Sequence, residues 1–122
     1  MTISVLDLSA PSGAKLYANT DLDATIAAIK ASAGTLYSII IDNSANAAAS
    51  YLKLWDLASG SVTVGTTAPD WIIKIAASVK KTIVFPEGLA FATALSAACV
   101  TAGGTAGVTG PTSDVDARLV YA

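Results

Sequence analysis

Turn-forming residues recur along this chain at spacings of roughly ten residues, and that rhythm limits the fold more than any other feature. They fall at Ser32-Ala33-Gly34, Asp42-Asn43-Ser44, Ser59-Gly60, Thr67-Ala68-Pro69-Asp70, Pro86-Glu87-Gly88, Gly103-Gly104 and Gly110-Pro111. The apolar runs between them are too short for ordinary amphipathic helices and suit strands. The expectation is an all-β chain, a single-domain antiparallel β-sandwich of jelly-roll-like design.

The runs themselves carry the period-two signature of half-buried strands. "TLYSIIID" (Thr35 to Asp42) is rich in β-branched and aromatic residues. "SYLKLWDL" (Ser50 to Leu57) sets Leu52 and Leu54 on one face, with Tyr51, Lys53 and Trp55 on the other. "WIIKIA" (Trp71 to Ala76) groups Trp71, Ile73 and Ile75 against Ile72, Lys74 and Ala76. "KTIVF" (Lys81 to Phe85) alternates Ile83 and Phe85 with Thr82 and Val84. "DARLVYA" (Asp116 to Ala122) closes the chain as a last strand, with Leu119 and Tyr121 on a shared face.

Two segments leave alternatives. In "TDLDATIAAIKASAG" (Thr20 to Gly34), Thr20 and Asp23 approximate a capping box, and Leu22, Ile26 and Ile29 have helical spacing. The same segment reads as a strand, with "SAG" as the turn into the next one. Residues 1–23 are set apart from the sandwich at 24–122. Their apolar residues Ile3, Val5, Leu6 and Leu8, followed by Pro11, Ser12 and Gly13, read as an edge strand or as an extended arm that binds a partner.

Composition decides what such a sandwich has around it. The 122 residues fit one domain able to bury a core without disulfides or metals. Charged residues make up 13%, against about 25% in an average soluble domain, and apolar residues 53%. A small lone molecule with that balance has too little polarity to cover its surface. Membrane insertion is not expected. "GLAFATALSAACV" (Gly88 to Val100) is shorter than the roughly 20 residues a spanning helix needs, and Lys74, Lys80 and Lys81 interrupt the other apolar run. Met1 opens a segment with no basic region and no continuous apolar run, so no signal peptide is expected. Burial against other protein copies is the remaining explanation.

The chemistry is sparse. Without any histidine, Ser-His-Asp and Cys-His catalysis and histidine-built zinc sites are excluded. No phosphate-cradling glycine motif occurs, and "TAGGTAGVTG" (Thr101 to Gly110) reads as a mobile inter-strand loop. Net charge is −2, with Lys80-Lys81 the only adjacent basic pair, so nucleic acid is a poor partner. Cys99, the lone cysteine, reads as a buried small hydrophobe. The carboxylate pairs Asp21/Asp23 and Asp114/Asp116 have a spacing that glycoside hydrolysis allows, but both flank turns, where Asp serves the backbone. No cofactor is expected.

The aromatic residues raise a binding alternative. Tyr51 and Trp55 straddle Lys53 on one face, which would suit a glycan platform if that face were exposed. Trp71 follows Pro69-Asp70 and opens an alternating run, so core or interface packing is its leading reading.

Four phrases, taken in order, resemble a family of small virion proteins of tailed bacteriophages. They are Gly34 to Ile39 with Asp42-Asn43, Tyr51 to Asp56, Val64 to Asp70, and Phe85 to Phe91. In the family these are a G-T-L-Y-x-I strand ending in D-N, a Y-L-K-L-W/Y-D strand, a V-G-T-x-x-P-D loop and an F-P-x-G-L-A-F turn. The resemblance spans roughly residues 28 to 122 and leaves the first 23 uncovered. It implies a β-sandwich component of the particle, with no catalytic residue carried over. The expected role is a capsid decoration (cement) protein on the outside of the virion, made in the host cytoplasm. The expected partners are the major capsid protein and further copies of the chain, with a trimer suiting three-fold positions. A tail or head-fibre module that binds glycans through Tyr51 and Trp55 is the alternative.

Overall fold

The computed structural model describes residues 13–122, and its regular secondary structure is almost entirely strand. In chain order these are β1 (Lys15–Asn19), β2 (Ala27–Lys30), β3 (Gly34–Asp42), β4 (Ser50–Trp55), β5 (Trp71–Ile75), β6 (Lys80–Phe91), β7 (Leu95–Val100) and β8 (Asp116–Tyr121). A single 3-10 turn, Ser59–Ser61, interrupts the long β4–β5 connection.

Two four-stranded antiparallel sheets result. Sheet A runs β1-β8-β3-β6 and sheet B runs β2-β7-β4-β5. The first strand pairs with the eighth, the second with the seventh, the third with the sixth and the fourth with the fifth. The chain is therefore one long antiparallel ribbon, folded over at the β4–β5 connection and wrapped so that its strand pairs alternate between sheets. That is the double Greek-key order of a jelly roll.

Alternation along the strands explains the core. Leu36, Ile39 and Ile41 of β3, Leu52 and Leu54 of β4, and Leu119 of β8 turn inward and are fully buried. Trp71 and Ile73 of β5 and Ile83 and Phe85 of β6 pack against them. Each fully buried Leu or Ile contributes about 1.5–3 kcal/mol relative to exposure. Trp71 is thus an inward-facing core residue, half-buried opposite Leu54.

Sequence and structure differ at the Thr20 to Gly34 segment and at Pro86-Glu87-Gly88. The Thr20 to Gly34 segment yields a strand only at Ala27–Lys30, where Ile29 enters the core. Within residues 1–23, β1 pairs with β8 in full register and forms an edge of sheet A. The calls on Ile3, Val5, Leu6 and Leu8 lie outside the described residues. Finally, Pro86-Glu87-Gly88 does not separate two strands. It is an excursion inside the 12-residue β6, placed opposite a bulge at Tyr37 where the register with both β6 and β8 shifts. Gly88 has φ +78°, and a Cβ there would sit 2.3 Å from Thr35 Cγ2, so only glycine fits.

Candidate functional site

The residues singled out by sequence lie in three places: the outer face of sheet B, the end of the sandwich beyond β4, and the loops beside Asp21 and Asp114.

On sheet B the outward face holds Tyr51, Lys53 and Trp55, as alternation requires, but Lys53 and Trp55 are buried there and Tyr51 is half-buried. Trp55 has 0% of its surface accessible. Its indole packs with Val62 and Ala98, with Ile26, Leu57 and Val64 against them. Its Nε1–H donates to the Thr67 carbonyl at 3.0 Å. The expected aromatic platform is therefore not formed: Trp55 cannot offer its ring to a sugar. Period two alone assigns a residue to a face. It does not say that a loop of the same chain will cover that face.

Lys53 is the unforeseen member. It too is 0% exposed, and its ammonium donates to the carbonyls of Gly104 and, at 3.3 Å, Gly107. Burial lowers its pKa from the ordinary lysine value. No carboxylate pairs with it among the hydrogen bonds and ion pairs of the described residues. The cation is held by carbonyl dipoles, as a buried charge must be when no counter-ion is present. The glycine-rich loop is consequently a tethered lid over sheet B rather than a free connector. Its neck is closed by Thr101 N–H donating to the Thr109 carbonyl at 2.9 Å. Gly103 lies against the Tyr51 ring, where a Cβ would meet Cε1 at 2.8 Å.

At the end of β4, Asp70 and Asp56 work in series. Asp70 accepts the Asp56 N–H at 2.7 Å, while its own N–H donates to the Leu54 carbonyl at 2.9 Å. Asp56 accepts the N–H groups of Ala92, Thr93 and Ala94 at 2.9, 2.8 and 3.3 Å. These amides, Ala92 and Thr93 foremost, hold the Asp56 carboxyl below its usual range. The Asp70–Trp71 step is thus a structural joint: the carboxylate fixes the loop and the indole enters the core.

The opposite end is organised by Asn43, which is wholly buried. Its Nδ2 donates to the carbonyls of Ala48 and Ala76 at 3.1 and 3.0 Å. Its Oδ1 accepts from Asn46 Nδ2 at 3.0 Å and Ser50 Oγ at 2.7 Å. Asn46 continues to Ser113, accepting its N–H at 2.8 Å. Beside this network lies a cleft of about 330 Å³, lined chiefly by Ala45, Ala47, Thr101, Pro111 and Thr112. Its walls are small side chains with no aromatic and no titratable group.

Of the four aspartates, Asp21 and Asp114 come together across chain segments. Leu22 N–H donates to the Val115 carbonyl at 2.9 Å, which brings Asp21 beside Asp114. The Asp114 charge raises the Asp21 pKa. Asp23 Oδ1 accepts the Thr25 N–H at 2.8 Å, and Asp116 pairs with Arg118 at 3.3 Å on the surface. Among the described residues no three of His, Cys, Asp or Glu are grouped to hold a metal. Cys99 is buried in the core, and burial pushes its thiol up to about 12, which keeps it protonated and unreactive.

These features define a jelly-roll β-sandwich whose conspicuous polar residues serve its own backbone. Compared with known proteins, the chain matches no family model, no curated protein and no solved structure.

Proposed function

We propose that the chain is a structural protein of a bacteriophage virion, a decoration protein that binds the major capsid protein and braces the shell. One observation carries the reading. The phrases that resemble the phage family fall on joints of the sandwich. Asn43 ties one end, Asp56 and Asp70 tie the other, and Gly88 permits the excursion of β6. A motif made of joints is what a building block needs, because its function is to keep a shape. An enzyme motif would instead gather side chains with unsatisfied chemistry, and none of the four does so.

The eight-stranded jelly roll is also an architecture of viral capsid domains, although fold alone does not assign function. The role needs no cofactor and no chemistry. It draws on buried apolar area and shape. The glycan-binding alternative loses its main residue to the burial of Trp55.

The test is the composition of purified particles. Quantitative mass spectrometry and a cryo-EM reconstruction should find the chain on the outer shell, in fixed ratio to the major capsid protein. A handful of copies at the tail or portal, or none in the particle, would overturn the capsid assignment.

A further inference from the structure

We infer that the outer face of sheet A is a self-association surface that packs face to face on the same sheet of a second copy. The two sheets of the sandwich are treated unequally by their own chain. Sheet B has the outer face of its central strands roofed by the connections that bury Trp55 and Lys53, and of its large apolar residues there only Ile72, on the edge strand β5, is left exposed among the described residues. Sheet A keeps its outer face open, and one band of that face is apolar where solvent-facing strands are ordinarily polar.

The register places the residues. Leu16 lies opposite Val120, Val120 opposite Ser38, and Ser38 opposite Val84. Directly opposed residues share a face, so a mostly apolar row crosses all four strands. Its ends are Leu16 and Val84, exposed at 59% and 63%. Ile40, also exposed, stands in the next row, between Arg118 and Thr82. An apolar band of this kind on a small domain marks an interaction site.

Charge and area favour a second copy as occupant. Beyond Ile40 the face carries Asp42, Asp116, Lys80 and Arg118 around one shallow depression. With two charges of each sign, and Arg118 already paired with Asp116 within the chain, this rim has no net charge to attract a charged partner or to repel a copy of itself. Four strands at ~4.8 Å, averaging eight residues at ~3.4 Å, cover roughly 19 by 27 Å, about 520 Å² before side-chain relief. Two such faces bury about 1,000 Å² in total, the lower bound of a specific interface. Edge pairing through β6 is the weaker route. Lys80, Lys81 and Pro86 blunt that edge, since lysines repel and proline lacks an N–H.

The pairing does not depend on the virion reading and is tested on the free protein. Sedimentation velocity on the full chain over a wide concentration range should show a dimer near twice 12.2 kDa. The doubly substituted L16E/V84E chain should weaken it by about a hundredfold or more and sediment as a monomer, with the β-sheet circular dichroism of the parent. I72E, on sheet B, should leave the dimer intact. A monomeric parent at every concentration would overturn the proposal and leave the face to another protein or to residues 1–12. A dimer indifferent to L16E/V84E would overturn it as well, and would move the interface elsewhere. If L16E/V84E fails to fold, the milder V84T and L16T chains supply the same comparison.

Discussion

The Asp70 carboxylate accepts the backbone N–H of Asp56 at 2.7 Å, so one acidic residue positions the next. Asp56, held this way at the end of β4, receives the amides of Ala92, Thr93 and Ala94 and closes the β6–β7 turn. Two residues 14 apart in sequence thereby link the ends of four strands, β4, β5, β6 and β7, at one end of the sandwich.

Removing that link should be costly. Asp56→Ala leaves three backbone amides without their charged acceptor and is expected to lower stability by about 2–4 kcal/mol. Asp56→Asn, which keeps one acceptor oxygen, should lose less. The effect depends on pH with a defined sign. The folded-state pKa lies below the unfolded one, so the contribution is complete above about pH 4. It is lost as the pH falls through the folded value. Denaturant titrations of parent and variant should therefore converge as the pH is lowered from about 4 through the folded-state value. A gap that persists there would assign the loss to something other than the carboxylate.

Asp21 has the opposite sign. Chiefly through the Asp114 charge, its folded-state pKa lies above the unfolded value of 3.8. Its protonation favours folding below that value, and the benefit disappears as the pH rises through the folded one. Asp21→Asn should raise the melting temperature at pH 7 and leave it nearly unchanged at pH 3. Asp114→Asn should do the same, and the double substitution should add little. Additive gains would mean that the two carboxylates do not interact.

Lys53 should reveal itself locally. Lys53→Met keeps most of the buried stem and removes a buried charge, so global stability should change by less than about 2 kcal/mol. The carbonyls of Gly104 and Gly107 lose their donor, however. Amide exchange at Thr101 and Gly107 should accelerate at least about tenfold, while exchange in β3 and β8 should hold. Because the ammonium's pKa is lowered in the fold, the parent should also gain stability as the pH rises toward 10.5, and Lys53→Met should lack that gain. Uniform acceleration across the sheets would contradict the tether.

Gly88 combines strain and contact. Gly88→Ala forces a Cβ onto the Thr35 methyl at a positive φ, with an expected loss of about 1–3 kcal/mol. Adding Thr35→Ser removes that methyl and should restore part of the loss but not the backbone term. Thermal unfolding of both variants decides the matter. Equal stability of single and double variants would show that the methyl is not the obstacle.

Strand identity was legible in the sequence because alternation is local. Leu52 and Leu54 opposite Tyr51, Lys53 and Trp55, and Trp71 with Ile73 and Ile75, are properties of a period of two and survive in any sheet. Turn spacing likewise announced an antiparallel sandwich before any strand was paired. The local signal failed where a distant segment decided. Asn43 read as an ordinary turn residue and Asp56 as part of a strand run, since nothing near them in sequence announces the amides and carbonyls 33 to 38 residues away that they hold.

By itself, then, the sequence determined that this chain forms strands, which side chains of each strand share a face, and that too few charges exist to cover the molecule evenly. Tertiary structure alone decided which faces are covered. It buried Trp55 and Lys53 under loops while leaving Leu16 and Val84 in the open, because exposure depends on what the rest of the chain lays over a sheet.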